Sequence, residues 1–368
     1  MKWITLEELC EKGSSNIAQK DLEGLDGDYP IYGASGFIKN VDYYKQEKPC
    51  IAIVKDGAGV GRVMKLPEKS SVIGTMQYII PKENVNVDYL AFAMEHMNLA
   101  KYYTGATIPH IYFKDYCKEK VIERSWEEQH EIAGNLNKVE NLIALRKQQV
   151  EKLDELVKAR FVELFGDPKL NNKGWKSGVI SDYFEVKGGK RIPKGMGYSD
   201  TKTNHPYLRA TDMKNATILE DDIHYISEEV FQHIKRYTVK GGDIYLTNVG
   251  VNLGMAGVIP QKFDGASLTE NAVKLVPKTE NEIDGMFLAH YINSPGIQEY
   301  INERKMAVGV PKLAIFRIET MPLLIPPMEV QQHFIAFVEQ TDKSKLVIQK
   351  SLEQLGTLKK SLMQQYFG

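Results

Sequence analysis

Nine consecutive residues, Lys187-Gly188-Gly189-Lys190-Arg191-Ile192-Pro193-Lys194-Gly195, place four cations among three glycines. Glycine lets a backbone approach a partner closely. Lysine and arginine in such a loop suit phosphate oxygens or the edge of a guanine. The plain alternative is a solvated basic turn, because such loops are common. A second stretch, Thr247-Asn248-Val249-Gly250-Val251-Asn252-Leu253-Gly254, also has two readings. Asparagine can pair with adenine or simply complete a turn, and turn duty is the better default for either one. Nearer the start, Lys55, Arg62 and Lys65 surround a glycine-rich hairpin, and Thr104-Gly105-Ala106-Thr107 forms a further polar loop. The candidate nucleic-acid contacts on loop chemistry are thus Lys55, Arg62, Lys65, Thr104, Thr107, Lys187, Lys190, Arg191, Lys194, Thr247, Asn248 and Asn252.

Catalytic patterns do not emerge. Asp56-Gly57-Ala58-Gly59-Val60-Gly61 has the glycines of a nucleotide loop, but Arg62-Val63-Met64-Lys65-Leu66-Pro67 then alternates and ends in proline. A phosphate loop should open a helix, so a tight hairpin is expected. There is no P-loop, zincin, deaminase or nucleophile-elbow spacing. An amino-methyltransferase's Asn-Pro-Pro-Tyr is missing, and Ile325-Pro326-Pro327-Met328 is no substitute. His110 reads as a packing or hydrogen-bonding residue. Glu127-Glu128 reads as an acidic helix start, and Asp221-Asp222 as a solvated loop. Cys10, Cys50 and Cys117 are too few and scattered for a disulfide framework or zinc cage, which suggests a cytoplasmic protein. No catalytic residue, metal site or cofactor of its own is expected. With 47 Lys+Arg against 48 Asp+Glu, a basic coat is excluded, though a local basic surface is not. No apolar stretch reaches bilayer length, and Met1-Lys2-Trp3-Ile4-Thr5 does not begin like a signal peptide, so no membrane partner is expected.

The elements that must hold these loops come from a chain written twice. Phe165-Gly166 recurs as Phe367-Gly368, 202 positions later, and the same offset maps Pro109 onto Pro311 and Gln129 onto Gln331. Upstream, Trp3 pairs with Trp175 and Tyr29-Pro30 with His205-Pro206 at shorter offsets. In the repeated segment, Ile132, Leu136, Val139, Ile143, Val150, Leu153, Val157 and Leu164 fall at alternating four and three spacings, with Arg146 and Arg160 in the same register. Its copy offers Phe334, Val338, Ile348, Leu352, Leu355 and Leu362, interrupted by Thr341, Lys345 and Lys359. That is a coiled-coil seam. Ser125 before Trp126-Glu127-Glu128 caps the first helix, and Gly166-Asp167-Pro168 ends it. Pro326-Pro327 opens the second. Each helix would bury its seam against the other, with a homodimeric coiled coil as the plainer alternative. Arg146 and Arg160 are expected to pair with acids, with Glu339 and Glu353 as candidates.

Elsewhere short β-branched and aromatic runs alternate with glycine and proline, as in Cys50-Ile51-Ala52-Ile53-Val54 and Ala272-Val273-Lys274-Leu275-Val276. One short helical pattern falls in each module, at Val87 to Met97 and Asp284 to Asn293. The expected fold is α+β. Two globular domains with mixed sheets, 1–124 and 168–326, alternate with long antiparallel helices at 125–167 and 327–368, giving an internal pseudo-twofold repeat.

The stretch 153–168, from Leu153-Asp154-Glu155-Leu156 to Phe165-Gly166-Asp167-Pro168, closely resembles the end of the central conserved region in specificity subunits of type I restriction–modification systems. Three other stretches fit that family: Ile325-Pro326-Pro327-Met328-Glu329-Val330-Gln331; the basic loop with its preceding valine, 186–195, followed by His205-Pro206-Tyr207-Leu208-Arg209; and Tyr29-Pro30-Ile31-Tyr32-Gly33-Ala34-Ser35-Gly36. The resemblance implies two target-recognition domains held apart by the helices, each reading half of a split DNA target. It adds Arg209 to the candidate contacts. It implies double-stranded DNA, two methyltransferase subunits docked on the helices and restriction subunits as partners. S-adenosylmethionine, ATP and Mg would be used by those partners, which carry adenine methylation and cleavage. The two domains differ strongly, so an asymmetric target is expected. A methylation-only or other phage-defence methylase could use the same kind of subunit. From other classes, a catalytic DNA methyltransferase or nuclease lacks its motifs here, and a bare coiled-coil scaffold leaves the basic loop without a role.

Overall fold

The computed structural model describes residues 2–105, 107–214, 216–279, 282–306 and 309–368. The chain divides into two units, Met1–Gln149 with Val347–Gly368, and Val150–Leu346.

The first unit opens with β1 (Trp3–Thr5), α1 (Leu6–Leu9) and β2 (Cys10–Ser14). There follow β3 (Tyr29–Gly33), β4 (Gly36–Val41), β5 (Cys50–Val54), β6 (Val63–Leu66), β7 (Ser71–Val72) and β8 (Met76–Pro81). Helices α2 (Val87–His96) and α3 (Phe113–Tyr116), strand β9 (Lys120–Ile122) and the start of α4 (Trp126–Phe165) complete it. Strand β5 reads as an unbroken apolar run because it is buried along its whole length. It lies between β6 and β8 in a four-stranded sheet of order β2-β8-β5-β6. A second, mixed sheet has order β4-β3-β7, with β3 antiparallel to β4 and parallel to β7. Asn86 caps α2 by accepting from the Tyr89 N–H at 3.0 Å. All three cysteines are free and buried in this unit, and burial pushes the Cys10 and Cys50 thiols up to about 12.

The second unit repeats this plan with β10 (Lys176–Val179), α5 (Ile180–Tyr183), β11 (Phe184–Gly188), β12 (Pro206–Leu208), β13 (Met213–Lys214), β14 (Thr217–Ile218) and β15 (His224–Tyr225). Its later elements are α6 (Glu228–Ile234), β16 (Ile244–Thr247), β17 (Ala256–Val258), β18 (Ser267–Leu268), β19 (Ala272–Pro277), α7 (Gly285–Ile292), α8 (Pro295–Arg304), α9 (Ile315–Glu319), β20 (Pro322–Ile325) and the start of α10 (Met328–Phe367). Sheet order β11-β19-β16-β17 matches β2-β8-β5-β6, and β15-β12-β18 matches β4-β3-β7, parallel pair included. Pro30 and Pro206 sit in equivalent strands β3 and β12. The extra length of the second copy includes α6 and the β13–β14 hairpin.

Helices α4 and α10 each run 40 residues, roughly 60 Å at 1.5 Å per residue. Ser125 forms the expected N-cap in full: its Oγ accepts from the Glu128 N–H at 3.2 Å, and Glu128 accepts from the Ser125 N–H at 2.8 Å. Gly166 ends α4 with φ +76°. In each unit the two helices pack antiparallel. In the first, Asn135 faces Tyr366 and Glu140 faces Lys359. In the second, Asp154 meets Lys345 at 2.7 Å, and the Phe161 and Phe165 rings pack on Phe334.

The seam is not uniform. Ile132, Leu136 and Val139 are buried, as are Val157, Phe334 and Val338, but Ile143, Val150, Leu153, Leu164, Ile348, Leu352, Leu355 and Leu362 are only half-buried. Towards the end of α4 the buried face slips from the expected Arg160 and Leu164 to Phe161 and Phe165. There the helix packs into a sheet core with Leu246, Val273 and Phe287, which favours a wider apolar face than a two-helix seam. The expected arginine partners also differ. Arg160 pairs with Glu163 at 2.8 Å and lies over the Phe337 ring. Arg146 donates to Gln149 at 2.8 Å. Neither uses Glu339 or Glu353. The cross-helix ion pairs are made instead by the seam lysines, Lys345 with Asp154 and Lys359 with Glu140.

A buried glutamine ties each helix start to its unit. Gln129 Oε1 accepts from the Asn86 N–H at 2.9 Å, and its Nε2 donates to Arg124 O at 3.0 Å. Gln331, its copy, accepts from the Asp284 N–H at 2.9 Å and donates to Glu282 O at 3.0 Å and Pro326 O at 2.8 Å.

Candidate nucleic-acid interface

The basic loop leaves β11 at Gly188. Lys190 N–H donates to Leu268 O, and Lys190 O accepts from the Tyr207 hydroxyl, both at 2.8 Å. Gly189 is obligatory, since a Cβ there would lie 2.0 Å from Thr269 O. The side chains of Lys187, Lys190, Arg191 and Lys194 remain exposed. Lys187 pairs with Glu185 at 2.8 Å, two residues away on the same strand face. Arg191 pairs with Glu270. Burial would raise the Glu270 carboxyl, but Arg191 outweighs it and holds the carboxyl below its ordinary range. Within reach of Arg191 the surface is therefore neutralised, while Lys190 and Lys194 present their charge to solvent.

Other candidates are engaged inside the fold. Arg209 donates to Asp212 at 2.6 Å and to Asp222 at 2.9 Å, and those carboxylates hold its guanidinium above the ordinary arginine value. Lys65 lies 2.8 Å from Asn137, 3.1 Å from Glu140 and 3.7 Å from the Phe92 ring centre. Thr247 is fully buried, with its hydroxyl on Asn252 O and Met255 O. Asn248 is also buried, its Nδ2 donating to Leu313 O at 3.4 Å. Asn252 is half-buried and donates to Ala210 O at 3.5 Å. For the asparagines, then, turn duty is what the geometry displays. Lys65 draws its acid from Glu140, too far along the chain for spacing to reveal, whereas Asp212, the shorter of Arg209's two acidic contacts, lies only three residues on.

In the first unit, Asp56–Gly61 is the expected hairpin between antiparallel β5 and β6. Lys55 pairs with Asp56 at 3.3 Å, and exposed Arg62 donates to Ala34 O at 2.9 Å. Thr104 and Thr107 are exposed, while Ala106 between them lies outside the described residues. Sequence reasoning missed a cleft of about 320 Å³ beside this hairpin, lined by Lys12, Lys55 and Lys114 with Gln77, Tyr112 and Phe113. No spacing marks it, because Lys12 lies opposite Ile79 where its counterpart in the second unit, Val186, lies opposite Leu275. Among the described residues, no group of three or more His, Cys, Asp or Glu could hold a metal ion.

Each unit thus has a like sheet topology and exposed cationic residues on its loops, and both long helices run through the two units. The chain belongs to the type I restriction modification DNA specificity domain family, whose profile matches twice, over residues 1–155 and 172–356. The MjaVIII type I restriction enzyme specificity subunit of Methanocaldococcus jannaschii is 24% identical over 377 residues, spanning 96% of this chain and 88% of that protein. The MjaIX specificity subunit of the same organism is 24% identical over 311 residues, covering 77% and 69%. The crystal structure of the type I restriction–modification S subunit from M. genitalium shares the fold with TM-score 0.61 at 16% identity, covering all of this chain and 96% of that one. A chain solved in work on assembly and conformational transition of the type I system aligns with TM-score 0.59 at 12% identity, covering 100% and 97%. The protein is a specificity subunit of a type I restriction enzyme, non-catalytic by family. No described helix is long and apolar enough to cross a membrane.

Proposed function

We propose that segments 1–124 and 168–326 are two target-recognition domains, each reading one half of an asymmetric, split DNA sequence. The observation that carries this reading is the duplication: the two units share sheet order and strand register while their exposed loops carry different side chains. Helices α4 and α10 set the unread gap between half-sites and dock two methyltransferase subunits, which restriction subunits then join. Large apolar side chains left exposed on the helices support docking: Leu142, Leu145 and Leu358 in the first unit, Leu156 and Leu346 in the second. S-adenosylmethionine, ATP and Mg belong to the partners. A chain of net charge -1 suits a subunit whose partners share the phosphate contacts.

The test is to co-express the chain with its cognate adenine methyltransferase and map N6-methyladenine in host DNA by single-molecule sequencing. One split motif with a fixed gap and a modified adenine in each half is expected. A compact, unsplit motif would rule the reading out.

A further inference from the structure

Each unit closes two loops on one another with the same backbone bonds. In the first, the Gly57 N–H donates to Pro109 O at 2.8 Å and the Ile111 N–H to Lys55 O at 2.9 Å. Thr104 and His110 exchange their backbone bonds at 2.8 and 2.9 Å. In the second, Gly250 donates to Pro311 O and Leu313 to Asn248 O, both at 2.9 Å. Met306 and Lys312 exchange theirs at 2.8 and 3.2 Å. The hairpin necks match as well, with Gly61 on Val54 O and Gly254 on Thr247 O, both at 2.8 Å. Gly57, Gly61, Gly250 and Gly254 all have positive φ, between +84° and +102°, a region costly for other residues. At Gly61 a Cβ would also meet Ala100 N at 2.4 Å.

Three residues of this clasp are the same in both copies, Gly57 and Gly250, Gly61 and Gly254, and Pro109 and Pro311, while the side chains it displays are not. Across the clasp Asp56 is bridged to His110 in the first unit, and Val249 to Lys312 in the second. These pairs occupy equivalent backbone positions with unlike chemistry. All four side chains are at least partly exposed. Beside them Ile108 and Val310 are exposed, and Val251 at the second tip is 98% exposed, so none of the three serves a core. A backbone held constant while its displayed residues change is what one task on two different targets requires.

We infer that Asp56 with His110, and Val249 with Lys312, are specificity-determining pairs that meet base edges in the two half-sites. This rests on the split-target reading above. Asp56 suits the amino group of cytosine, Lys312 the O6 and N7 acceptors of guanine, and Val249 the methyl group of thymine.

The experiment exchanges the pairs in the full chain assembled with its methyltransferase: D56V with H110K in one variant, V249D with K312H in the other. Methylation motifs and affinity for the wild-type target are measured. The first variant is expected to change base identity in one half-site only, leaving the gap and the other half intact. The second is expected to change the opposite half. Affinity for the original target should fall tenfold or more in each. Unchanged motifs with uniformly weaker methylation would mean phosphate contact alone and overturn the inference. If a double variant fails to assemble, Lys312→Gln, at an exposed position, replaces it and must alter one half-site. A wild-type complex with no split motif would instead bring down the split-target reading itself. A wild-type split motif that both exchanges leave untouched brings down only the clasp assignment.

Discussion

At the scale of single residues, the ionisable groups inside this protein are mostly structural. Lys359 bridges Glu95 at 3.0 Å and Glu140 at 2.9 Å. Burial would raise the Glu140 carboxyl, but Lys359 and Lys65 together hold it below its ordinary range. His290 is the group with the clearest pH signature. Its ring packs on Phe334 at 5.2 Å, and desolvation, opposed by Asp342 and reinforced by Lys345, lowers its pKa to about 4. The unfolded chain therefore takes up the proton first as pH falls. The contribution of neutral His290 is complete above the ordinary histidine value and is lost progressively on the way down to about 4. At about 1.4 kcal/mol per pH unit, discounted for partial exposure, the loss is on the order of 2 kcal/mol. Denaturant titrations between pH 7 and 4 should show His290→Gln losing less stability than the wild type by that amount. Parallel pH profiles for the two proteins would refute the assignment.

Among the elements, the glutamines at the two helix starts matter most. Gln331→Leu leaves the buried Pro326 carbonyl and the half-buried Asp284 N–H without their partner, at a cost of about 1–3 kcal/mol. Thermal unfolding should register it, and hydrogen exchange at Asp284 should quicken. A loss below about 0.5 kcal/mol would show that water replaces the side chain without penalty. Much at this scale could be read from sequence. The seam spacing, the Ser125 cap and Pro326-Pro327 place both long helices within a residue or two of their observed starts. Cys50–Val54 is a strand as written, and the two short helices at Val87 and Gly285 fall inside their expected windows. What escaped was non-local. The two-residue strands β7 and β18 carry no pattern of their own and exist through parallel pairing with β3 and β12. The slip of the seam onto Phe161 and Phe165 depends on a sheet brought up from residues 244–275. Of the candidate contacts, exposure kept Lys190, Lys194, Thr104 and Thr107 at the surface. Lys65 was claimed by Glu140 of a distant segment, and Arg209 by the nearby Asp212 together with Asp222.

For the molecule as a whole, one feature has a consequence in time. The second unit is a single stretch, Val150–Leu346, whereas the first is made of two pieces, with Val347–Gly368 returning to it. Leu362, Met363, Tyr366 and Phe367 belong to the core that also holds Tyr89, Ile132 and Leu136. During synthesis the domain begun first is thus the one completed last. The later domain can close while its elder sibling still waits for its final helical turns. Cys10 lies in that same core, so alkylation of its thiol can time the closure on arrested nascent chains. Chains arrested with residue 346 outside the ribosome should have an accessible Cys10, and extension through residue 368 should shield it. Equal protection at both lengths would mean that this core closes without its last helical turns.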